Sequence, residues 1–263
     1  MNEEAPHSPT TTRREIRKRT AGPARHDAQK IATKVHRRLR DDILALRLAP
    51  GAGVSENELA LAYGTGRTPI REALLRLADE GLVEIVPKSG TRVTRIPVAR
   101  LPEAIIVRKA LEEVTTRAAA QRASTSDLMG LRVLLQRQTE AADAGDEAAF
   151  HAADEAFHAE IAAAAGYPGI WTLVQQVKMH VDRYRLLTLP QEGRMARVQR
   201  DHAAIVAGLE ARDADAAAAA MATHIDQLRL DIAVIRNSYP DYFADEEDDG
   251  EARKPRGRGF TRE

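Results

Sequence analysis

The spacing of hydrophobic residues changes twice along this chain, and the changes predict its elements. From Lys30, the positions Ile31, Val35, Leu39, Ile43 and Leu46 recur at the spacing of one helix face, up to the breaker Leu48-Ala49-Pro50-Gly51. Ser55, with Glu58 three residues on, starts a short second helix as a capping box, with Leu59 and Ala60 facing inward. Tyr63-Gly64-Thr65-Gly66 is a turn whose glycines permit the angles that swing one helix against the next. Thr65 is placed to cap a third helix, and Pro69 falls in its first turn, where no amide hydrogen is missed. Ile70, Ala73, Leu74 and Leu77 then keep the helical period. After that the period drops to two. Residues 82–86 and 91–95 alternate β-branched and polar side chains around Pro87-Lys88-Ser89-Gly90, which predicts a hairpin.

Two helices, a glycine turn and a hairpin in this order describe a winged helix-turn-helix over residues 28–96. Arg67, Thr68 and Arg71 are left on the outward face at the start of the third helix. Arginine can bridge the two acceptors of guanine in a major groove while its neighbours grip phosphate. Lys88, Arg92 and Arg95 give the hairpin a cationic edge suited to phosphates or an adjacent minor groove. The competing reading is a solvated helix with scattered arginines, and the hairpin directly behind it weighs against that.

Residues 97–102 form a proline-marked linker. Beyond it the periodicity is helical, in segments 103–122, 126–144, 146–165, 169–189, 195–211 and 213–236. Six helices with no strand between them predict an all-α bundle, so the fold class is mainly α, a winged head followed by a helical bundle. Residues 1–27, rich in Pro, Thr, Arg and Glu, read as a disordered basic arm, and 237–263 as a disordered tail.

Composition sharpens this picture. Aromatic residues make up only 4% of the chain while hydrophobic residues make up 43%, so the cores should be aliphatic. The whole chain is neutral, which removes any argument for nucleic-acid binding from net charge. Residues 1–100, however, hold 19 basic against 12 acidic side chains, and the remainder holds 20 against 27. A basic front joined to an acidic rear suits a DNA-binding head on a body with another task. Cysteine is absent, which excludes disulfides and thiolate metal sites. With no apolar run long enough to span a bilayer and no signal-peptide core, a cytoplasmic location is expected.

The bundle carries one notable constellation. Asp154 and His158 lie one turn apart on a helix face shared with Phe150 and Ile161. His202 and His224 sit on either side of the turn at Arg212-Asp213, and at about 1.5 Å of rise per residue an antiparallel pair returns them to one level. Three imidazoles and a carboxylate would suit zinc, nickel, cobalt or manganese. Spacing alone leaves open that each histidine is a partner-satisfied core or surface residue, and His151 and His180 have no evident role.

The run from Gly66 to Leu74, with Leu77, Glu80-Gly81-Leu82-Val83 and Gly90-Thr91-Arg92-Val93, resembles the DNA-binding domain of GntR-family bacterial transcription regulators. That likeness implies that Arg67, Thr68 and Arg71 meet DNA, with Lys88, Ser89 and Gly90 in the wing. Arg108 and Glu112, Asp154 through His158, Arg200 through Ile205, and Asp213 through His224 resemble the effector-binding FCD-type domain of the FadR branch. By that resemblance Asp154, His158, His202 and His224 are metal ligands, and Arg108 lines an effector cavity.

The resemblance implies a homodimeric regulator of double-stranded operator DNA. Its affinity would be modulated by a small organic acid at a divalent transition metal site in the bundle, with no membrane partner. The alternative is a metal-dependent hydrolase with an accessory DNA-binding-like domain, since three histidines and an aspartate could activate water. No general base stands at a recognisable spacing to support it.

Overall fold

The computed structural model describes residues 23–87, 89–229 and 232–244. Helix α1 (Pro23–Leu44) begins seven residues before the sequence-predicted start at Lys30, so part of the expected arm is helical. Its buried stripe is Ala32, Val35, Leu39 and Ile43, whereas Ile31 is 45% exposed. Leu46 takes a left-handed φ of 57° beyond the helix and packs against the rear core. The rest of the arm, residues 1–22, lies outside the described residues.

Helix α2 (Glu56–Ala62) starts as expected, with Ser55 Oγ accepting from the Glu58 amide at 3.4 Å. Helix α3 (Arg67–Asp79) is capped by Gly66 rather than Thr65, and no side chain supplies the cap. Its buried residues are Ile70, Ala73, Leu74 and Leu77. Strand β1 (Gly53–Val54), β2 (Val83–Val86) and β3 (Gly90–Val93) form an antiparallel sheet in the order β1-β3-β2. Val83 pairs with Val93 and Gly53 with Arg92. β1 escapes a periodicity reading because two residues carry no period. Val35, Leu39 and Ile43 of α1 pack on Ile70, Leu74 and Leu77 of α3, closed by Leu82, Val83 and Val93. Each such buried aliphatic side chain contributes about 1.5–3 kcal/mol.

The linker contains a 3-10 turn (Val98–Arg100) and runs straight into α4 (Leu101–Arg122). The bundle continues with α5 (Thr125–Asp143), α6 (Glu147–Ala164), α7 (Pro168–Val177), α8 (Met179–Leu186), α9 (Arg194–Glu210), α10 (Ala214–Asp226) and α11 (Ile232–Ser238). Ser124 and Asp127 cap α5 reciprocally, while Asp146 and Asp213 cap α6 and α10. Two predicted single helices are each broken in two. The 169–189 segment turns at Lys178, whose buried ammonium sits 2.6 Å from Glu155 Oε2 and 2.5 Å from Asp182 Oδ2. The 213–236 segment passes through a 3-10 turn at Gln227–Arg229.

Helices α9 and α10 approach unusually closely at Gly208, where a Cβ would stand 2.7 Å from the Ala217 backbone. The beginning of the expected tail is ordered instead. Ile96 donates to Tyr242 O at 2.8 Å and accepts from the Ala244 amide at 3.0 Å, forming a parallel bridge to Phe243. The reason is hydrophobic, because Phe243 buries its ring in the rear core. Residues 245–263 lie outside the described residues.

Candidate metal centre and nucleic-acid interface

Asp154 and His158 lie on the inward face of α6, His202 on α9 and His224 on α10, all buried. One ligand atom from each lies within 4.8 Å of the others, so the fold brings together the four residues that the sequence singles out. His202 Nε2 is 3.2 Å from His224 Nε2 and 3.7 Å from Asp154 Oδ1, and His158 Nε2 is 3.7 Å from Asp154 Oδ2.

Each outward ring nitrogen faces a polar side chain. His202 Nδ1 bonds Gln138 Oε1 at 3.0 Å, His224 Nδ1 meets Asp201 Oδ2 at 3.4 Å, and His158 Nδ1 contacts Glu112 Oε2. A carboxylate only accepts, so the Nδ1 of His224 carries the proton and its Nε2 presents a lone pair to the centre. Burial pushes His224 down to about 4, against the raising effect of Asp201. Burial, aided by His224, holds His202 well below the usual imidazole range. These two rings are therefore neutral near pH 7, the form that ligates a cation. Phe157 stacks on His202 with centroids 4.1 Å apart, fixing that ring.

Asp154 has neither oxygen hydrogen-bonded, although Arg185 Nη2 stands 2.6 Å from Oδ2. Burial works to raise its pKa, and the Arg185 guanidinium outweighs it, so the group is ionised. A buried, unbonded carboxylate facing bare imidazole nitrogens fits a divalent transition metal, and no sulfur donor takes part. Arg108 is fully buried beside this centre, with Nε donating to Glu112 Oε1 at 2.5 Å. Its Nη1 and Nη2 have no hydrogen-bond partner.

The sequence reading gives Gln138 and Arg185 no role. Gln138 could have been noticed as the one polar residue on the buried stripe Leu131, Leu134, Gln138 and Ala141 of α5. Arg185 leaves no such mark, because its importance comes from a side-chain contact between α8 and α6.

At the front, Arg67, Thr68 and Arg71 are exposed on the leading turn of α3. The side chain of Arg67 is 70% exposed and only loosely paired, 3.7 Å from Glu56. Ser89 and Gly90 are exposed at the hairpin tip, where Gly90 has φ of 100° that a side chain would resist. Lys88 lies outside the described residues. Arg95, expected on the cationic edge, instead donates to Asp241 O at 3.0 Å.

The family described as bacterial regulatory proteins, gntR family, matches residues 31–93, and the FCD domain matches residues 103–227. An HTH-type transcriptional regulator in an unstable DNA locus of Streptomyces ambofaciens is 38% identical over 210 residues, 80% of this chain and 88% of its own. The HTH-type transcriptional repressor RspR of Escherichia coli K12 is 30% identical over 218 residues, 83% of this chain and 96% of its own. The solved structure of E. coli McbR/YncC superposes with a TM-score of 0.68 at 22% identity, covering 80% of this chain and 98% of that one, a likeness of fold. Both sequence relatives are named as regulators, so the hydrolase alternative is set aside. Among the described residues no helix is long and apolar enough to cross a membrane. With its two halves matched in order, the chain belongs to the GntR family of bacterial regulators, a DNA-binding transcription regulator with an FCD domain behind its winged helix-turn-helix head.

Proposed function

We propose that the operator affinity of this regulator is set by a divalent transition metal and a small carboxylate effector held together in the bundle. Asp154, His158, His202 and His224 would hold the ion, which supplies open coordination positions for an acid oxygen. Gln138 and Asp201 hold two of the rings with their Nε2 atoms inward, and Glu112 faces the Nδ1 of the third, His158. Arg108 pairs with the effector carboxylate through Nη1 and Nη2, a two-pronged contact that favours planar anions. The observation that carries this reading is the pairing of a bare four-donor centre with those two unpartnered donors, all buried in one site.

In the head, Arg67, Thr68 and Arg71 read base edges and phosphates, and Lys88, Ser89 and Gly90 press the wing on the backbone. One α3 covers one half-site, so the working unit is a homodimer. The effector alters DNA affinity only as far as it binds two arrangements of the heads unequally.

Thermal unfolding of the zinc-loaded protein against a panel of organic and sugar acids tests this. An effector raises the midpoint with the logarithm of its free concentration above its Kd, and Arg108→Lys, which keeps a cation for Glu112 but loses the two-pronged contact, reduces the rise while leaving bound zinc unchanged. A midpoint raised equally in the variant would reject Arg108, and a purified protein that takes up no metal would reject the centre.

A further inference from the structure

Helix α8 carries two buried arginines two positions apart, which at 3.6 residues per turn point to opposite sides. Arg185 reaches into the candidate metal centre, 2.6 Å from Asp154 Oδ2. Arg183 reaches the other way and donates to the carbonyl oxygen of Thr94 and, at 3.4 Å, to its Oγ1. Thr94 Oγ1 donates in turn to Gly81 O at 2.8 Å, in the turn that ends α3. Met179, at the start of α8, packs against the core of the head. One short helix therefore touches the metal-site carboxylate at one side and the support of the DNA-reading helix at the other.

We propose that α8 is the lever between the ion site and the DNA-binding head, with Arg185 displaced from Asp154 by an arriving metal ion and Arg183 carrying the shift to Thr94. This rests on the metal reading above. A divalent ion on Asp154 sets two positive charges beside a guanidinium in a buried site, where like charges are poorly screened. Arg185 is held on Asp154 by charge, since Asp154 Oδ2 receives no aligned hydrogen bond, and its Nη2 has one further, long contact of 3.4 Å to His151 Nδ1. A second partner is at hand, because Arg185 Nη1 lies 3.8 Å from Glu155 Oε1. Glu155 now holds Lys178 at 2.6 Å, and Lys178 keeps Asp182 at 2.5 Å if Glu155 turns away. The exchange leaves each buried charge paired, which is the condition for a switch of low cost. It also moves α8, since Lys178, Asp182, Arg183 and Arg185 all belong to this one segment. Beside it a cavity of about 300 Å³, bounded by Arg40 and Leu44 of α1 and by Gln175 and Lys178, leaves room between head and bundle for that movement.

The test uses the full chain, Zn2+ alone as probe, and a DNA duplex selected by the protein from a random pool. Zinc content and the DNA Kd with and without zinc are measured for wild type and Arg183→Met. Wild type should change its Kd at least about fivefold on loading zinc, a typical coupling between sites, while the variant should load as much zinc and change less than about twofold. A zinc-loaded variant with the wild-type response overturns the lever. Wild type that loads zinc without any change in Kd overturns it too and leaves the metal centre standing, whereas wild type that takes up no zinc removes both. Hydrogen exchange on wild type reads the same movement if the variant fails to fold. Zinc should alter exchange at residues 94–96 and 179–186 by at least about threefold, and unchanged rates there overturn the proposal.

Discussion

His202 Nε2 and His224 Nε2 face each other at 3.2 Å from adjacent antiparallel helices. The separation is maintained from behind: Gln138 takes the Nδ1 of one ring and Asp201 that of the other. Neither imidazole can turn away without breaking its outer contact, so the inward nitrogens stay together.

That arrangement predicts the effect of Gln138→Leu, a change of similar volume outside the ligand set. Zinc affinity should fall by about 10–100-fold, the usual cost of losing an outer partner of a ligating histidine, while α-helical content is kept. Competition with a chromophoric chelator measures it, and wild-type affinity in the variant would show that Gln138 does not hold the ring.

Gly208→Ala should disturb fold and centre together. The added methyl meets the Ala217 backbone at 2.7 Å, and α10 can relieve the clash only by moving away from α9. Overpacking of this kind costs about 1–3 kcal/mol in urea unfolding, and the same separation should weaken zinc binding. Unchanged stability would mean that the helices have slack at this crossing.

In the head, Arg67→Ala should cost about 1–3 kcal/mol of operator affinity and relax base preference at one position. Lys88→Ala should weaken binding evenly over sequences and reduce the slope of log Kd against log salt by about one. Gel-shift titrations at several salt concentrations distinguish the two, and equal slopes for wild type and Lys88→Ala would remove the wing contact.

Acid should destabilise the protein partly through His180. Burial, with Arg183 and Arg100 adding repulsion, pushes its pKa down to about 3, below the 6.5 of an exposed histidine. The unfolded chain thus binds the extra proton between pH 6.5 and about 3, and stability falls as pH drops through that window. One such group steepens the dependence by up to about 1.4 kcal/mol per pH unit, so His180→Asn should flatten the acid limb of urea midpoint against pH. A slope identical to wild type would place His180 in solvent.

Much of this protein was legible in its sequence. Ile70, Ala73, Leu74 and Leu77 fixed the inward face of α3, and thereby left Arg67, Thr68 and Arg71 outside, because helical period alone assigns faces. Asp154 and His158 shared a face for the same reason, and the residue runs resembling a known family supplied the family itself. Local pattern is a property of neighbours along the chain, and such features need nothing more.

What required the tertiary structure were contacts between distant segments. No period indicates that Gln138 of α5 meets His202 of α9, that Arg185 caps Asp154, or that Phe243 closes on Ile96. The break at Lys178 was equally hidden, because the segment keeps helical spacing on both sides of it. There the decisive term is the pairing of a buried ammonium with Glu155 and Asp182, and that charge balance exists only once α6 and α8 are packed together.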